Sequence, residues 1–264
     1  MTAAFQVLLQ VVGRTALERL RAAGHAALFS VGMLAVLPAS LRHPSLVLAQ
    51  VYVFGNRSLT IIAASGLAVG CVLALQMYYA LLPFGAVDNL GLVVNLALVR
   101  ELGPVVSGLL FAGRAGTALT AEIGLMKAGE QLVAMELMAI DPRRRLFAPR
   151  MIGGLVAMPL LAILFSAIGI VGAYLVAVPL IGIDATSFWS IMQARVDVLR
   201  DIGSGILKAA VFGAICMVVA LYQGAESEPT PQGVALATTR TVVVSSLWVL
   251  CMDFFLTAVL LSAP

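Results

Sequence analysis

The sequence predicts an all-α integral membrane protein, with an N-terminal interfacial amphipathic helix, five transmembrane helices and a cytoplasmic helix between the second and third spans. Two observations lead to this fold class. First, the 264 residues are 61% hydrophobic and only 11% charged, with a mean hydropathy of +1.05, whereas soluble domains carry about 25% charged residues. Second, apolar residues form uncharged blocks that reach the about 20 helical residues needed to cross a bilayer. The composition therefore excludes a soluble enzyme.

The N-terminal segment, residues 1–58, contains one apolar stretch at 26–37 that is too short to span a bilayer. Arg14, Arg21 and Arg42 flank this stretch. Apolar residues flanked by arginines are typical of a helix that lies in the plane of the anionic lipid headgroups. We therefore expect an interfacial helix, and a short or tilted extra span is the alternative.

Residues 59–264 form the predicted five-span domain. Its apolar blocks give the following spans: 59–82, 90–121, 151–181, 206–222 and 241–261. The segments between them are too short to hold a second domain.

The distribution of Lys and Arg predicts the orientation of the spans. Five of these residues precede position 59, five lie between 122 and 150, and one is Arg240. The segments on the opposite side hold only Arg195 and Arg200. The positive-inside rule therefore places the N-terminus in the cytoplasm and the C-terminus in the periplasm.

Five charged residues fall inside the predicted spans: Arg100, Glu101, Arg114, Lys208 and Asp253. Each costs about 2.5 to 3.5 kcal/mol at mid-helix, so each needs a partner. Arg100 and Glu101 are neighbours and point in different directions from a helix, so they cannot simply neutralise each other.

We therefore expect a Glu101–Lys208 pair and an Arg100–Asp253 pair between helices. Three interpretations remain open for this cluster. It is an interhelical lock that fixes helix register, a polar patch or gate beneath a lipid site, or a proton relay.

Residues that carry soluble enzyme chemistry are nearly absent. The two histidines, His25 and His43, have no partner at metal-ligand spacing. Ala follows both Lys127 and Lys208, so no glycine-rich loop ends in the Lys-Ser/Thr pair of a phosphate-binding P-loop. We expect no metal and no cofactor in this chain, and the net charge of +3 does not imply nucleic acid.

The cytoplasmic stretch 130–139 (EQLVAMELMA) predicts a short helix with apolar side chains on nearly all sides. Pro142 prevents it from continuing. Such a helix on a water-facing loop is typical of an element that binds a groove of another protein, and methionines suit a groove that moves. A helix lying on the bilayer surface is the alternative.

Aromatic residues mark the end of the first span, where Tyr78, Tyr79 and Phe84 lie close together. They form either an interfacial aromatic belt or one wall of a ligand cavity.

Several motifs resemble the MlaE-type permeases of bacterial MCE lipid-transport systems. They occur in the same order and at matching spacing over residues 50–262. The motifs are RELGP at 100–104, AGRAGTALTAEIGLMK at 112–127, EQLVAMELMAIDP at 130–142, TTRTV at 238–242 and DFFLT at 253–257.

The resemblance implies a permease subunit of an ABC-type phospholipid transporter in the bacterial inner membrane. Such a subunit is not itself an enzyme and works as a homodimer. Its implied partners are a P-loop ATPase (MlaF-like), which holds ATP and Mg, a STAS-domain protein (MlaB-like) and a hexameric MCE-domain protein (MlaD-like) on the outer side. The implied cargo is phospholipid exchanged with the outer membrane, whose lipid asymmetry the system maintains.

The resemblance also implies roles for individual residues. The charge cluster comprises Arg100, Glu101, Lys208 and Asp253. The coupling helix seated in the ATPase carries Glu130, Leu132, Met135, Glu136, Met138 and Asp141. The lipid cavity is lined by Tyr78, Leu81, Phe84 and Leu102. The family often has tyrosine near position 84, so Phe84 lacks a hydroxyl that relatives carry.

Two other classes of function remain open at this point. An ion-coupled secondary transporter would take up a proton on Glu101 or Asp253 and would need no ATPase. A structural membrane anchor would tolerate alanine at every member of the charge cluster.

Overall fold

The computed structural model describes residues 24–38 and 44–262, together with Leu17, Leu20 and Arg21. The remaining parts of the predicted 1–58 segment, including His43, lie outside the described residues. Within these ranges every element is helical and no strand occurs. The predicted all-α class is therefore confirmed.

Ten α-helices follow one another along the described chain. Their bounds are α1 Gly24–Pro38, α2 Pro44–Leu81, α3 Leu90–Ala97, α4 Gly103–Phe111, α5 Thr117–Ala128, α6 Gln131–Leu137, α7 Ala148–Ala177, α8 Ala185–Arg195, α9 Gly203–Glu226 and α10 Pro231–Ser262. Short π-helical segments join several of them, at Leu98–Leu102, Ala112–Gly116, Arg143–Phe147 and Val198–Ile202.

Within the part of the chain that the structure describes, five helical stretches are long and apolar enough to cross a membrane, which confirms the predicted number of spans. They are Pro44–Phe84, Val87–Ala128, Arg143–Ala177, Leu199–Glu226 and Pro231–Leu260, and we call them spans 1 to 5. Because successive spans alternate in direction, α6 lies at one end of the bundle and α8 at the other. We refer to these ends as the α6 side and the α8 side.

The first span begins earlier than the sequence predicts. Helix α2 starts at Pro44 and continues through Arg57, whose side chain is exposed. Arg57 lies 24 residues before Leu81, or about 36 Å along the helix, which exceeds the about 30 Å of the hydrocarbon core. The helix therefore extends beyond the membrane on the α6 side, and the predicted boundary at residue 58 falls within it.

Helix α1 packs against the α6-side ends of spans 3 and 4. The Phe29 ring contacts the rings of Phe147 and Tyr222, with centroids 6.4 and 5.6 Å away, and the Arg143 guanidinium lies 6.0 Å from its centroid. Met33 is fully buried, whereas Leu28 is 74% exposed. With 15 residues, α1 is shorter than a helix that spans a bilayer.

Glycines allow span 1 to approach span 3 at backbone contact. A Cβ atom on Gly70 would overlap the backbone of Gly169, and one on Gly172 would lie 2.5 Å from the Leu67 carbonyl oxygen. Small residues of this kind let helices pack closely where lipid provides no hydrophobic drive for association. Span 3 is thereby held at the centre of the bundle, and span 5 remains the most exposed of the five.

Candidate functional site

The site begins with the irregular helix of span 2. Residues Leu98–Leu102 form a π-helical turn that carries Arg100 and Glu101. Pro104 follows it and cannot donate a hydrogen bond to the carbonyl of Arg100, four residues earlier. A wider turn relieves this conflict, and π-helical turns of this kind occur frequently at functional sites.

Lys208 joins three spans at membrane depth. Its Nζ atom lies 2.7 Å from Glu101 Oε2, 3.3 Å from Asp253 Oδ1 and 2.6 Å from Thr257 Oγ1. The Thr257 hydroxyl lies 3.2 Å from Glu101 Oε2. Only 2% of the Lys208 side chain is exposed. A single ammonium group therefore ties spans 2, 4 and 5 together.

The charges of this triad do not cancel. Lys208 faces two carboxylates, those of Glu101 and Asp253, so the triad carries a net charge of −1 when all three groups are ionised. Asp253 Oδ1 is within ion-pair distance of Lys208, but it is buried and accepts no hydrogen bond. Uncompensated charge in a low-dielectric setting is costly. Asp253 is therefore the least satisfied member of the triad.

Arg100 turns away from the triad and pairs with Asp201. Its Nε atom lies 2.8 Å from Asp201 Oδ1, and its Nη2 atom contacts the same oxygen. Asp201 is almost completely buried, and its other oxygen accepts a hydrogen bond of 2.9 Å from the backbone N–H of Asp197.

The expected Arg100–Asp253 pair is therefore wrong, whereas the expected Glu101–Lys208 pair is present. Neighbouring side chains leave a helix in different directions, so Glu101 reaches α9 and α10 while Arg100 reaches the Val198–Ile202 turn. Asp201 lies between the predicted spans 151–181 and 206–222, so the sequence does not identify it as an intramembrane partner.

Two residues of the site escaped the sequence analysis, Asp201 and Thr257. The spacing of each from a nearby aspartate could have revealed it. Asp201 follows Asp197 by four residues, and Thr257 follows Asp253 by four, so each pair lies on one helix face. Arg114, the fifth intramembrane charge, is half-buried and forms no ion pair with a described residue.

A cleft of about 660 Å³ lies beside the triad. Its charged walls are Arg100, Glu101, Arg200 and Lys208, and Leu199, Leu207 and Leu260 supply apolar surface. The cleft thus offers both cationic and anionic groups at the α8-side part of spans 2, 4 and 5. Among the described residues no group of three or more His, Cys, Asp or Glu could hold a metal ion.

The four predicted cavity residues do not line this cleft. Tyr78, Leu81 and Leu102 are half-buried and pack against the core, and the Tyr78 ring lies edge-on to Tyr79 with centroids 5.4 Å apart. Phe84 ends a 3-10 turn at Leu82–Phe84 and is 82% exposed. Tyr78, Leu81 and Phe84 thus lie at the α8-side end of span 1, whereas Leu102 lies within span 2.

The predicted cytoplasmic helix is present as α6 and is shorter than expected, Gln131–Leu137. A residue with left-handed backbone conformation lies on each side of it, Glu130 with φ 56° and Ala139 with φ 58°. Leu132 and Met135 are half-buried, and Glu136 is exposed. Three apolar side chains are exposed: Val133 (54%), Leu137 (84%) and Met138 (64%). The helix therefore presents an uncovered apolar surface.

Polar contacts join the ends of the spans on the α6 side. Asp141 Oδ1 accepts a hydrogen bond of 2.9 Å from the backbone N–H of Arg143, at the start of span 3. Arg150 Nη2 lies 2.6 Å from Glu122 Oε1, and Lys127 donates to the Ala225 carbonyl at 2.7 Å. These contacts tie the α6-side ends of spans 2, 3 and 4 to one another, next to α6.

Comparison with known proteins assigns the family. The family model "Permease MlaE" matches residues 47–259. The chain is 49% identical over 255 residues, 97% of this chain and 98% of the relative, to the intermembrane phospholipid transport system permease protein MlaE of Haemophilus influenzae.

More distant relatives cover much of the chain as well. A probable ABC transporter permease protein of Rickettsia typhi is 35% identical over 95% of this chain and 96% of its own length. The chloroplastic protein TRIGALACTOSYLDIACYLGLYCEROL 1 of Arabidopsis thaliana is 32% identical over 77% of this chain and 58% of its own length. The chain, a multi-pass membrane protein, belongs to the MlaE permease family.

Proposed function

We propose that the chain is the permease subunit of an ABC-type transporter that moves phospholipid between the inner and outer membranes and so maintains outer-membrane lipid asymmetry. The observation that carries this proposal is the 49% identity, over nearly the full length of both chains, to a permease named for intermembrane phospholipid transport. The chain lies in the inner membrane with its N-terminus in the cytoplasm.

The energy of ATP hydrolysis is transmitted to this chain through α6. The exposed Val133, Leu137 and Met138 form an apolar surface at the α6 end of the bundle. The positively charged segments lie at this end, so the positive-inside rule predicts that it faces the cytoplasm. A helix of this kind fits a groove of a partner protein. The partner is a P-loop ATPase that holds ATP and Mg, so this chain is non-catalytic and needs no cofactor of its own. A STAS-domain protein binds that ATPase.

The lipid cavity forms between two copies of the chain. Span 5 is the least buried span, and Phe84 is 82% exposed on the α8 side. In a homodimer these surfaces meet, and Tyr78, Leu81, Phe84 and Leu102 line a cavity open toward a hexameric MCE-domain ring. Closure of the ATPases draws the two α6 helices together, narrows the cavity and displaces the lipid.

The experiment is to purify the tagged chain from its native host in mild detergent and to identify the proteins and lipids that accompany it. We expect a P-loop ATPase, an MCE-domain protein and phospholipid. Leu137→Asp is expected to release the ATPase. Leu180→Asp, equally apolar and 73% exposed but on the α8 side, serves as the matched control and should retain it. A chain that purifies alone contradicts the proposal.

One observation favours a second candidate, an ion-coupled carrier. Asp253 Oδ1 is buried without a hydrogen bond beside a surplus negative charge, and a proton would remove that charge. Such a carrier would move its substrate in vesicles that hold this chain alone, in response to a pH gradient. Asp253→Asn would abolish that response. In the permease, transport in vesicles requires the ATPase and ATP.

A further inference from the structure

A second cavity, of about 380 Å³, lies on the opposite face of the contact between spans 2 and 4. Val99, Ile202 and Ile206 point into it, whereas their neighbours Arg100 and Leu207 line the charged cleft. Helix α8 closes the cavity at one end through Met192, Gln193 and Val196. The cavity is thus built within one chain and is separate from the predicted cavity at the dimer axis.

The walls of this cavity are mostly apolar, its polar side chains are Asn95, Ser166 and Gln193, and no charged side chain lines it. Span 3 supplies one wall between Pro159 and Ile170, a distance of about 16 Å along the helix. Cavities of this volume fall within the about 300 to 1,000 Å³ of small-molecule sites. Apolar cavities exclude water and take apolar ligands. The shape and chemistry therefore suit an elongated apolar group.

The cavity opens sideways toward lipid. Three residues that line it are exposed on the bundle surface: Ile163 (44%), Ile206 (37%) and Ala167, one turn after Ile163 on α7. Ile163 and Ala167 belong to one exposed stripe of α7, which contains Val156, Leu160, Ile163, Ala167 and Val171. A continuous apolar stripe on a spanning helix faces the hydrocarbon. A ligand can therefore enter from the bilayer without crossing water.

One polar side chain inside the cavity lacks a partner. Asn95 is only 6% exposed and lines the cavity, and no described residue forms a hydrogen bond with its side-chain amide. Leaving such a group unpaired in an apolar site is unfavourable. Asn95 lies eight residues from Val87, so it is about 12 Å from the α8-side end of span 2. Its amide is thus placed toward that end of the cavity.

We propose that this cavity binds one acyl chain of a phospholipid from the α8-side leaflet, with the Asn95 amide donating a hydrogen bond to the ester carbonyl of that chain. The apolar walls hold the methylene groups, and the lateral opening admits them. Because no charged side chain lines the cavity, the affinity for a phospholipid does not depend on its headgroup. This site goes beyond the proposed permease function, since it lies within a single chain.

The test is photo-crosslinking in vesicles of phosphatidylethanolamine and phosphatidylglycerol that contain the purified protein with its co-purifying subunits. The probe is phosphatidylethanolamine with a diazirine next to the ester carbonyl of one acyl chain, where the cavity meets α8, and adducts are mapped by mass spectrometry. We expect adducts on the α8 segment at residues 192–196. Ala167→Phe, which blocks the opening, should lower them at least fivefold.

Val171→Phe is the matched control, because it adds the same ring to the same exposed stripe one turn away from the opening. It should leave the α8 adducts unchanged. Equal adduct yields from the Ala167→Phe and Val171→Phe variants would overturn the proposed site. The readout is labelling rather than transport, so it does not depend on the permease function.

A second probe tests the role of Asn95. An ether-linked version of the same lipid lacks the ester carbonyl, and we expect it to label the α8 segment severalfold less than the ester in the wild-type protein. In the Asn95→Leu variant the ester and ether probes should label the α8 segment equally. The variant should elute from a size-exclusion column at the same volume as the wild-type protein, which shows that it is folded. Equal labelling by ester and ether probes in the wild type contradicts the assigned hydrogen bond.

Discussion

At the scale of single residues, Lys208 is the most constrained charge in the protein. Its nearly buried ammonium is within 3.3 Å of two carboxylates and one hydroxyl from spans 2 and 5. Removing one partner of a buried ion pair is strongly unfavourable, because the remaining charge stays in a low-dielectric environment. Lys208 therefore contributes to stability whatever part the cluster plays in transport.

Lys208→Met is expected to lower the free energy of unfolding by about 2 to 4 kcal/mol. This is below the about 3 to 5 kcal/mol of a fully buried pair, because 42% of the Glu101 side chain is exposed. Unfolding in a detergent and denaturant series measures the change. The triple variant that adds Glu101→Gln and Asp253→Asn should recover part of the loss, and a triple variant less stable than Lys208→Met would contradict the electrostatic account.

The sequence predicts the members of the charge cluster but only half of its pairing. Charges inside apolar blocks are visible in the sequence because each is costly in the membrane. The direction of each side chain is not visible, because it depends on the π-helical turn at Leu98–Leu102 and on where the Val198–Ile202 turn ends. Asp201 lies outside the predicted spans, so its burial against Arg100 is not visible in the sequence either.

At the scale of helices, the closest contact is that of span 1 with span 3. A methyl group on Gly70 would overlap the backbone of Gly169, which cannot move aside as a flexible side chain would. Gly70→Ala is therefore expected to destabilise the protein by at least about 2 kcal/mol, since overpacking costs about 1 to 3 kcal/mol or more. Thermal unfolding in detergent measures it.

Gly55 lies on the same helix and provides the control. Nothing is within 4 Å of a Cβ atom at this position, so Gly55→Ala should raise stability by about 0.5 to 1 kcal/mol through helix propensity. If the two substitutions changed the melting temperature equally, the close backbone contact would not be the source of the effect.

A substitution next to α6 tests whether this helix couples ATP hydrolysis by the partner to lipid movement. Glu130→Lys reverses a charge at the start of the apolar surface, and we expect it to lower lipid-stimulated ATP hydrolysis by the complex while co-purified lipid remains bound. Glu228→Lys makes the same charge change at an exposed residue on the same side of the membrane and should leave hydrolysis unchanged. Loss of bound lipid with normal hydrolysis in the Glu130→Lys variant would refute the coupling role.

Helix boundaries were less predictable than helix number. The first and third predicted spans begin just after Arg57 and Arg150, but α2 begins already at Pro44 and α7 at Ala148. Helices extend beyond the hydrocarbon when exposed or paired side chains carry the charge. Helix α8 was also missed, although Asp184 marks its start by accepting a 2.8 Å hydrogen bond from the backbone N–H of Ser187.

At the scale of the whole molecule, span 5, which α10 forms, is the least buried of the five spans and exposes an apolar face. Four of its exposed residues, Val243, Leu247, Leu250 and Phe254, recur every three or four positions, and Trp248, Phe255 and Val259 are exposed beside them. In a twofold symmetric dimer a helix near the axis contacts its own copy.

Single cysteines placed along this face of a cysteine-free chain should therefore cross-link two copies in native membranes. The yield should rise and fall with a helical period of 3 to 4 residues, because only the face at the axis brings two Cα atoms within about 7 Å. Cysteines on the exposed stripe of α7, such as Val171→Cys, serve as the control. An absence of cross-links at every α10 position would contradict a dimer formed through this face.

The most direct test of the central claim is lipid transfer by the purified complex in vesicles. Fluorescent phospholipid would be followed from vesicles holding the complex to acceptor vesicles, or in the reverse direction, with ATP, with a non-hydrolysable analogue and with a pH gradient. A permease driven through α6 should move lipid only with hydrolysable ATP, and Leu137→Asp should stop that movement. Transfer driven by the pH gradient in vesicles that hold this chain alone would contradict the account.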